Sequence, residues 1–420
     1  MEKQRCYMVI DMKSFFASVE CAERGLDAMK TKLLVADTTR TKSTICLAVS
    51  PALKKLGVKN RCRLYEVPTN IKYIIAPPRM NKYIQYASNI YSIYLKYMSK
   101  EDIHVYSIDE CILDVTDYLK IYKMRAIDFA KLLMKEIFDN LHIPSSAGIG
   151  TNMYLAKIAL DITAKKSPDR IGYLTEEKFK NELWNHRPIT DFWGISKGIA
   201  TRLSKMAIYD MEGIAKYPEE YLYKEFGINA EILIDHSKGI ETCLMSDIKA
   251  YKTKSKSISS SQILPCGYSF DDAKIILQEM ITEGCYRLER EKYVTNLINV
   301  FVMYDDDLIT VSHASKRMKE TTNLNFIISP YAVKLYEEIV DKCRKVRRVG
   351  FSFSNLLPIQ FEQYDLFTNI HKVEEEHRLT NCILYIKDKF GKNAVLKGID
   401  LFENATARER NNQIGGHRVG

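Results

Sequence analysis

The chain has 420 residues, 46% of them hydrophobic and 27% charged, which is long enough for two to four domains with cores of their own. Lys and Arg number 62 against 53 Asp and Glu, and the net charge of +9 leans towards a polyanionic partner, though many proteins without one share it. Ten scattered cysteines, with no Cys-x-x-Cys pair, exclude zinc-finger spacing and fit a reducing cytosol better than a disulfide framework. No apolar run approaches the ~18 residues of a membrane span, and the first six residues are short and polar, so a cytoplasmic protein without membrane contact is expected.

Residues 7–10 read as a buried strand closed by Asp11, and Phe15-Phe16 lead into a helix over 17–24. Short apolar runs at 33–36 and 45–49 alternate with helical stretches. Tyrosines at helical spacing predict an amphipathic helix over 82–98, its aromatic stripe facing a core. Tyr106-Ser107-Ile108-Asp109-Glu110 sets two adjacent carboxylates at the end of a strand-like run. A second long helix covers 124–141, and a small-residue strand at 146–150 leads into a third helix over 152–163. After Gly172 come short helical pieces over 175–245 around the turn Trp193-Gly194-Ile195-Ser196-Lys197-Gly198. Lys252-Thr253-Lys254-Ser255-Lys256-Ser257 reads as an exposed linker. Strands at 297–304, 310–313, 326–328 and 346–354 and a helix over 331–344 follow, with Asp305-Asp306-Asp307 as a hairpin turn rather than a metal site. Beyond Pro358 lies a tail with a helix over 373–390 and a polar, flexible end over 404–420.

Asp11 and Asp109 on neighbouring strands would hold a pair of divalent ions, which can bind a triphosphate and activate the attacking oxygen; that chemistry is nucleotidyl transfer. Two strand-end charges are the plain alternative, because adjacent strand residues such as Asp109 and Glu110 point to opposite faces.

Asp11-Met12-Lys13-Ser14-Phe15-Phe16-Ala17-Ser18-Val19-Glu20 and Tyr106-Ser107-Ile108-Asp109-Glu110 are similar to two signature motifs of the Y-family DNA polymerases, the translesion enzymes. The stretch from Ala48 through Pro51 and Lys54 to Lys59 resembles their fingers segment. Ala147-Gly148-Ile149-Gly150-Thr151-Asn152, with Leu155-Ala156-Lys157, resembles the palm strand and helix that follow. Lys345-Val346-Arg347-Arg348-Val349-Gly350-Phe351-Ser352-Phe353 resembles the last strand of their little finger. The matches run in family order over about 5–357 and are closest to the UmuC-like branch of Gram-positive bacteria and their mobile elements.

The resemblance implies an α+β multidomain fold: a right-hand polymerase with a ferredoxin-like palm (1–14 and 80–171), small fingers (15–79), a helical thumb with a helix-hairpin-helix (175–245), an α/β little finger (257–357) and a tail with a clamp-binding motif (358–420). It implies that Asp11 and Asp109 bridge two Mg²⁺ ions, that Met12 offers its carbonyl, and that Glu110 completes the catalytic site at the primer 3′-hydroxyl. Phe16 matches the aromatic gate that crowds the sugar C2′, while Phe15 beside it in the nucleotide site also reads as core. Lys54 stands where an arginine usually faces the triphosphate, Pro51 replaces a phosphate-contacting tyrosine, and Lys165 matches the palm lysine, with Lys166 as the other choice. The 152–163 helix carries one extra residue relative to much of the family. Lys13 departs from the acid or amide frequent there and would share the side of Asp11 on a strand end.

For DNA the resemblance points to Gly194, Lys197 and Gly198 in the thumb turn, where Ser196 replaces a second glycine. In the little finger it points to two basic clusters, Lys316, Arg317 and Lys319 with Arg344, Lys345, Arg347 and Arg348. Gln363-Tyr364-Asp365-Leu366-Phe367 resembles the pentapeptide that binds the bacterial sliding clamp (beta). The implied activity is low-fidelity, DNA-directed synthesis across lesions, without proofreading, in DNA repair and the SOS response. Its partners would be primer–template DNA, dNTPs, the clamp and SOS accessory proteins. A non-catalytic, clamp-bound scaffold is the alternative; a nucleotide cyclase fits less well, since it needs no DNA-gripping domain at 257–357.

Overall fold

A strand alternates its side chains between two faces, and Tyr7–Met12 does so at the centre of a five-stranded sheet ordered Ile103–Val105, Glu110–Asp114, Tyr7–Met12, Ser145–Gly150, Ile171–Leu174. The structure is a computed structural model and describes residues 5–39, 43–253, 255–306, 310–366 and 368–420, so Lys254, Asp307 and Phe367 lie outside the described residues. Met8, Ile10 and Met12 enter a core with the helices Met80–Leu95 and Ala126–Leu141; Tyr7 and Val9 face Met153, Ala156 and Leu160 on the other side. The central strand is antiparallel to both neighbours, with Asp11 opposite both Glu110 and Ser146.

The small residues at 145–150 have a steric reason. A Cβ added to Gly148 would stand 2.1 Å from the Ala156 carbonyl oxygen, and one on Gly172 would stand 2.3 Å from that of Ala159. The sheet therefore takes the following helix directly onto its backbone. That helix is regular only over Met153–Ile158, after which Ala159–Thr163 forms a π turn closed by Ala164 N–H donating to Ala159 O at 2.7 Å. Such a turn holds one residue more than an α-helical turn.

The expected strand-end position of Tyr106–Glu110 is corrected. Residues 106–109 form the turn between Ile103–Val105 and Glu110–Asp114, with the Tyr106 and Ser107 N–H groups donating to Glu110 O. Glu110 thus begins a strand, and the opposite-faces rule does not govern Asp109. A small sheet (Ala48–Val49, Leu33–Val35, Ile74–Ala76) with its own core around Leu34, Val49, Leu53 and Val67 lies within the same unit, as do six helices between Glu176 and Ala250. This first compact unit comprises Met1–Tyr251 with His417–Gly420.

The second unit is Lys252–Gly416. Its antiparallel sheet is ordered Val311–Thr322, Tyr293–Tyr304, Val346–Ser354, Ile258–Tyr268, and the helices Phe270–Glu291 and Asn325–Ile339 cover one face. Three readings are revised here. Residues 326–328 are the start of the Asn325–Ile339 helix, which runs through Pro330 instead of breaking before it. The Phe270–Glu291 helix went unread, although Ala273, Ile276, Leu277, Met280, Ile281, Cys285 and Leu288 repeat at helical spacing. The end of the tail is ordered against this unit: the buried Glu279 carboxylate accepts from the Thr406 N–H at 3.2 Å and from Arg410 Nη1 at 3.3 Å.

Candidate active site

The turn and the central strand converge where Met12 N–H donates to Asp109 O at 2.9 Å, which brings Asp109 beside Asp11. Ser107 Oγ steadies the Asp109 carboxylate at 2.6 Å. Burial, then the Asp109 charge, pushes the Asp11 carboxyl up to about 7, with Glu110 adding and Lys13 and Lys157 opposing. Carboxylates are hard oxygen ligands of the kind Mg²⁺ takes, and a divalent cation beside Asp11 and Asp109 would relieve the repulsion that Asp109 exerts on Asp11. The pair fits such an ion. Glu110 stands apart, and among the described residues no three Asp, Glu, His or Cys side chains gather as metal ligands.

The reason is Lys157. From the helix on the sheet, its Nζ reaches Glu110 Oε1 at 2.8 Å and Asp161 Oδ2 at 3.2 Å, with both Lys157 and Glu110 largely buried. Although burial works against it, Glu110 and Asp161 hold the Lys157 ammonium above its ordinary value; burial lifts the Glu110 carboxyl and Lys157 pulls it back. We read the pair as charged, since each partner hydrogen-bonds the other's ionised form. Sequence reasoning quoted Lys157 only as part of a motif; a lysine four residues before an acid on a helix packed against Glu110 was the available signal.

Cations line another side of the site. Lys13 is half-buried; burial lowers its ammonium pKa, and the like charges of Lys165, Arg170 and Lys54 lower it further, while Asp11 supports it. Lys54, Lys165 and Arg170 are thus near enough to Lys13 to act on its charge, and Lys13 in turn acts on Asp11. Ser14, next to Lys13, adopts a left-handed backbone (φ 46°) and its Oγ accepts from Lys54 Nζ at 2.9 Å. Such strain in a non-glycine residue clusters at functional sites. The predicted Lys54 and Lys165 are brought together, and Lys13 joins them instead of standing as an anomaly. Arg170 was missed; it lies at the mouth of the Ile171–Leu174 strand, its carbonyl accepting from Ala147 N–H. Pro51 is the first residue of the Pro51–Lys55 helix, capped by the Ser50 side chain, a position suited to proline.

Phe15, at 2% exposure, belongs to the core, as the second reading of it had it. Phe16 is half-buried and stacks on Tyr83 with ring centroids 4.6 Å apart.

Residues 10–161 match the family model described as "impB/mucB/samB family", and residues 255–366 match its C-terminal domain. The chain is 31% identical to "Putative UV-damage repair protein UvrX" of Bacillus subtilis (strain 168), over 98% of this chain and 97% of the relative. The chain belongs to this family, the Y-family DNA polymerases. "DNA polymerase IV 2" of the same organism is 30% identical over 99% of this chain and 100% of its own length. A solved "Y-family DNA polymerase chimera Dbh-Dpo4(243-245)-Dbh" superposes with a TM-score of 0.68 at 24% identity, covering 84% of this chain and 99% of that one, and shows the α+β multidomain fold.

The remaining predicted residues of this Y-family chain scatter more. Gly194 takes φ 89°, and Ser196 caps the Lys197–Lys205 helix through Oγ to the Ile199 N–H at 3.4 Å, so Lys197 and Gly198 form its first turn. The helix Glu176–Leu183 and the three-residue 3₁₀ turn Ile189–Asp191 precede this turn, as the expected short helical pieces. In the second unit the face without helices carries Phe301, Arg317, Arg348, Ser261 and Ser352, with Arg348 held by Ser261 Oγ at 2.6 Å. Lys316 is on the helix side, 3.9 Å from Glu338. Arg344 pairs with Asp306 and lies 3.7 Å over the Tyr304 ring, while Arg347 is 3.9 Å from Asp305. Gln363 is bridged to Thr321 by two backbone hydrogen bonds, Tyr364 Oη meets Thr322 Oγ1 at 3.4 Å, and Leu366 is 99% exposed. Among the described residues no helix is long and apolar enough to cross a membrane.

Proposed function

We propose that this chain is a template-directed DNA polymerase that copies damaged DNA at low fidelity, without proofreading, by two-metal nucleotidyl transfer, in the UmuC-like branch of its family. The observation that carries this reading is the Asp11–Asp109 pair with Lys13 acting on Asp11 and Lys54, Lys165 and Arg170 acting on Lys13. Carboxylates that invite divalent ions next to ammonium and guanidinium groups that invite phosphates are the two halves of a nucleotide triphosphate site. The likeness to a protein named for UV-damage repair supports the branch and the damage-response role.

In this site the primer 3′-oxygen attacks the α-phosphorus of an incoming dNTP and pyrophosphate leaves. Mg²⁺ ions, when bound, lower the pKa of the hydroxyl and take up charge on the leaving group. Asp11 and Asp109, with the Met12 carbonyl, would hold them. The cations take the negative charge of the β- and γ-phosphates in a partly desolvated space, where it counts for more than in water. Glu110, which Lys157 now holds, would serve the primer terminus once that grip is released. Phe16, presented at the start of the Phe15–Ala22 helix, crowds the sugar C2′. The open face of the second-unit sheet, with Arg317 and Arg348, grips duplex backbone without reading sequence, and residues 363–366 offer Leu366 to a sliding clamp. SOS accessory proteins complete the proposed set of partners.

Primer extension with Mg²⁺ and four dNTPs, on undamaged and abasic templates, tests the reading. Extension across the lesion that disappears in Asp109→Ala is expected. Equal activity in both proteins refutes the site. No extension in either, with primer–template binding intact, favours the clamp-bound scaffold.

A further inference from the structure

In the second unit the Val311–Thr322 strand is an edge of the sheet, and the segment similar to a clamp-binding pentapeptide is moored to it. Gln363 N–H donates to Thr321 O at 2.8 Å, and Thr321 N–H donates to Gln363 O at 2.9 Å. Extended chain alternates its side chains, so Glu362 and Tyr364 turn inwards and Gln363 stays exposed. One Glu362 oxygen accepts from Thr322 Oγ1 at 2.9 Å; the other lies 3.0 Å from His377 Nε2. The second ring nitrogen, His377 Nδ1, stands 3.3 Å from Glu289 Oε2. Glu289 is buried near the end of the Phe270–Glu291 helix, and Lys292 Nζ (2.7 Å) and Asn323 Nδ2 (2.9 Å) also donate to it. An imidazole donates from both nitrogens only as the cation, and the bonds to the two carboxylates raise the His377 pKa to about 9.

These contacts close a loop. Glu362 and His377 stand 15 residues apart, and the chain between them contains the whole pentapeptide. Beyond Leu366 the chain is held again: Thr368 Oγ1 donates to Asp365 Oδ1 at 2.7 Å, and the Asn369 side chain caps the Ile370–Phe390 helix at the Lys372 N–H. Leu366, 99% exposed, stands between these two fixed ends. We infer that His377, clasped between Glu289 and Glu362, is a positioning residue that keeps Gln363 and Leu366 presented to a sliding clamp. A recognition peptide in a loose tail surrenders backbone and side-chain freedom on capture, and that loss subtracts from its affinity. Here folding has already fixed the root of the segment, through charge-assisted hydrogen bonds of the stronger kind.

The inference rests on the reading of residues 363–367 as a clamp-binding segment, and its test separates the two. Affinity of the full chain for the bacterial sliding clamp (beta) is measured by surface plasmon resonance for the wild type, Leu366→Ala, His377→Ala and Glu362→Gln. Calorimetry verifies that the second unit of each is folded. His377→Ala removes the clasp, and Glu362→Gln keeps the side chain's shape while removing the charge that His377 holds. Both are expected to weaken clamp binding about tenfold, roughly what ordering one further residue's backbone on capture amounts to. Primer extension without the clamp should stay at the wild-type rate in His377→Ala. A histidine that merely fastens the tail helix would leave clamp affinity unmoved. If Leu366→Ala binds the clamp as the wild type does, the clamp reading fails. If Leu366→Ala weakens binding and neither His377→Ala nor Glu362→Gln does, the inference about His377 is overturned. Tighter binding by His377→Ala overturns it as well, because the clasp would then conceal the segment. Should His377→Ala lose the second-unit transition, Glu362→Gln decides the question by the same criterion.

Discussion

Lys157 offers a sharp quantitative test of how the catalytic end of the sheet is held. Its Nζ lies 2.8 Å from Glu110 Oε1, and both side chains are 10% exposed. At that separation and an effective dielectric near 20, two unit charges attract by 332/(20 × 2.8), about 6 kcal/mol. Withdrawing both groups from water cancels most of this gain, so the intact pair is close to neutral for stability. Removing one partner is different, because it strands the other in the interior at about 3–5 kcal/mol. In Lys157→Met the Glu110 carboxylate would also face Asp161 without the cation now between them. For a unit of this size each kcal/mol moves the melting midpoint about 2–4 °C, so the variant should lose about 6–20 °C. The loss should fall on the transition of the first unit, measured by calorimetry in buffer free of divalent ions. The double variant Lys157→Met/Glu110→Gln should regain most of it, since no buried charge is then left alone. A deficit below about 1 kcal/mol, or a double variant no more stable than the single, would show that the pair is not the buried ion pair described.

Other consequences can be checked alongside. Lys13→Ala should raise the KM for dNTP about tenfold in steady-state primer extension, because one of four cations near the triphosphate is lost; a lowered KM would mean that Lys13 opposes Asp11 instead. Arg317→Ala should reduce the slope of log affinity for primer–template against log salt by about one, whereas Arg344→Ala, already paired with Asp306, should leave that slope in place and destabilise the second unit. The tail helix Ile370–Phe390 carries His377 between Glu289 (3.3 Å) and Glu362 (3.0 Å), whose hydrogen bonds raise its pKa to about 9, while Glu289 is lowered to about 2, chiefly by His377. The histidine's contribution is full below its unfolded value of about 6.5 and is lost as pH rises through about 9; that of Glu289 is full above about 4.5 and is lost towards pH 2. Hydrogen exchange over 370–390 should therefore be slow at pH 6 and, after correction for intrinsic rates, faster at pH 9.5, a difference absent in His377→Ala.

The parts of this molecule that were legible in its sequence are those that local periodicity or a contiguous motif encodes. The strand at Tyr7–Met12, the long helices at Met80–Leu95 and Ala126–Leu141 and the Ser145–Gly150 strand stand within a few residues of where alternation and helical spacing put them. Asp11 and Asp109 also meet as expected. What escaped was set by contacts between distant segments. Lys157 looked like one more helical lysine until Glu110 lay across from it, and Lys13 looked misplaced until Lys54, Lys165 and Arg170 surrounded it. Arg344 and Arg348 read alike in a basic run, yet Asp306 claims the first and Ser261 holds the second on the open face. Phe15 and Phe16 differ only by the 100° that separates neighbours on a helix, and that rotation sends one ring into the core and the other against Tyr83. The Phe270–Glu291 helix is a different case, since its spacing was present and simply went unread.

The π turn at Ala159–Thr163 has a bearing on how such a chain tolerates a change of length. Inserting one residue into an ordinary α-helix rotates everything beyond it by about 100° and advances it by about 1.5 Å. Here an insertion would swing Lys165 and Arg170 away from Lys13 while Lys157 stayed fixed on Glu110. A widened ring, by contrast, can take in one residue where it occurs and leave both flanks in phase. The segment is in effect an expansion joint, and a single deletion within 159–163 should be accepted there, although the same cut three residues earlier would unseat the sheet.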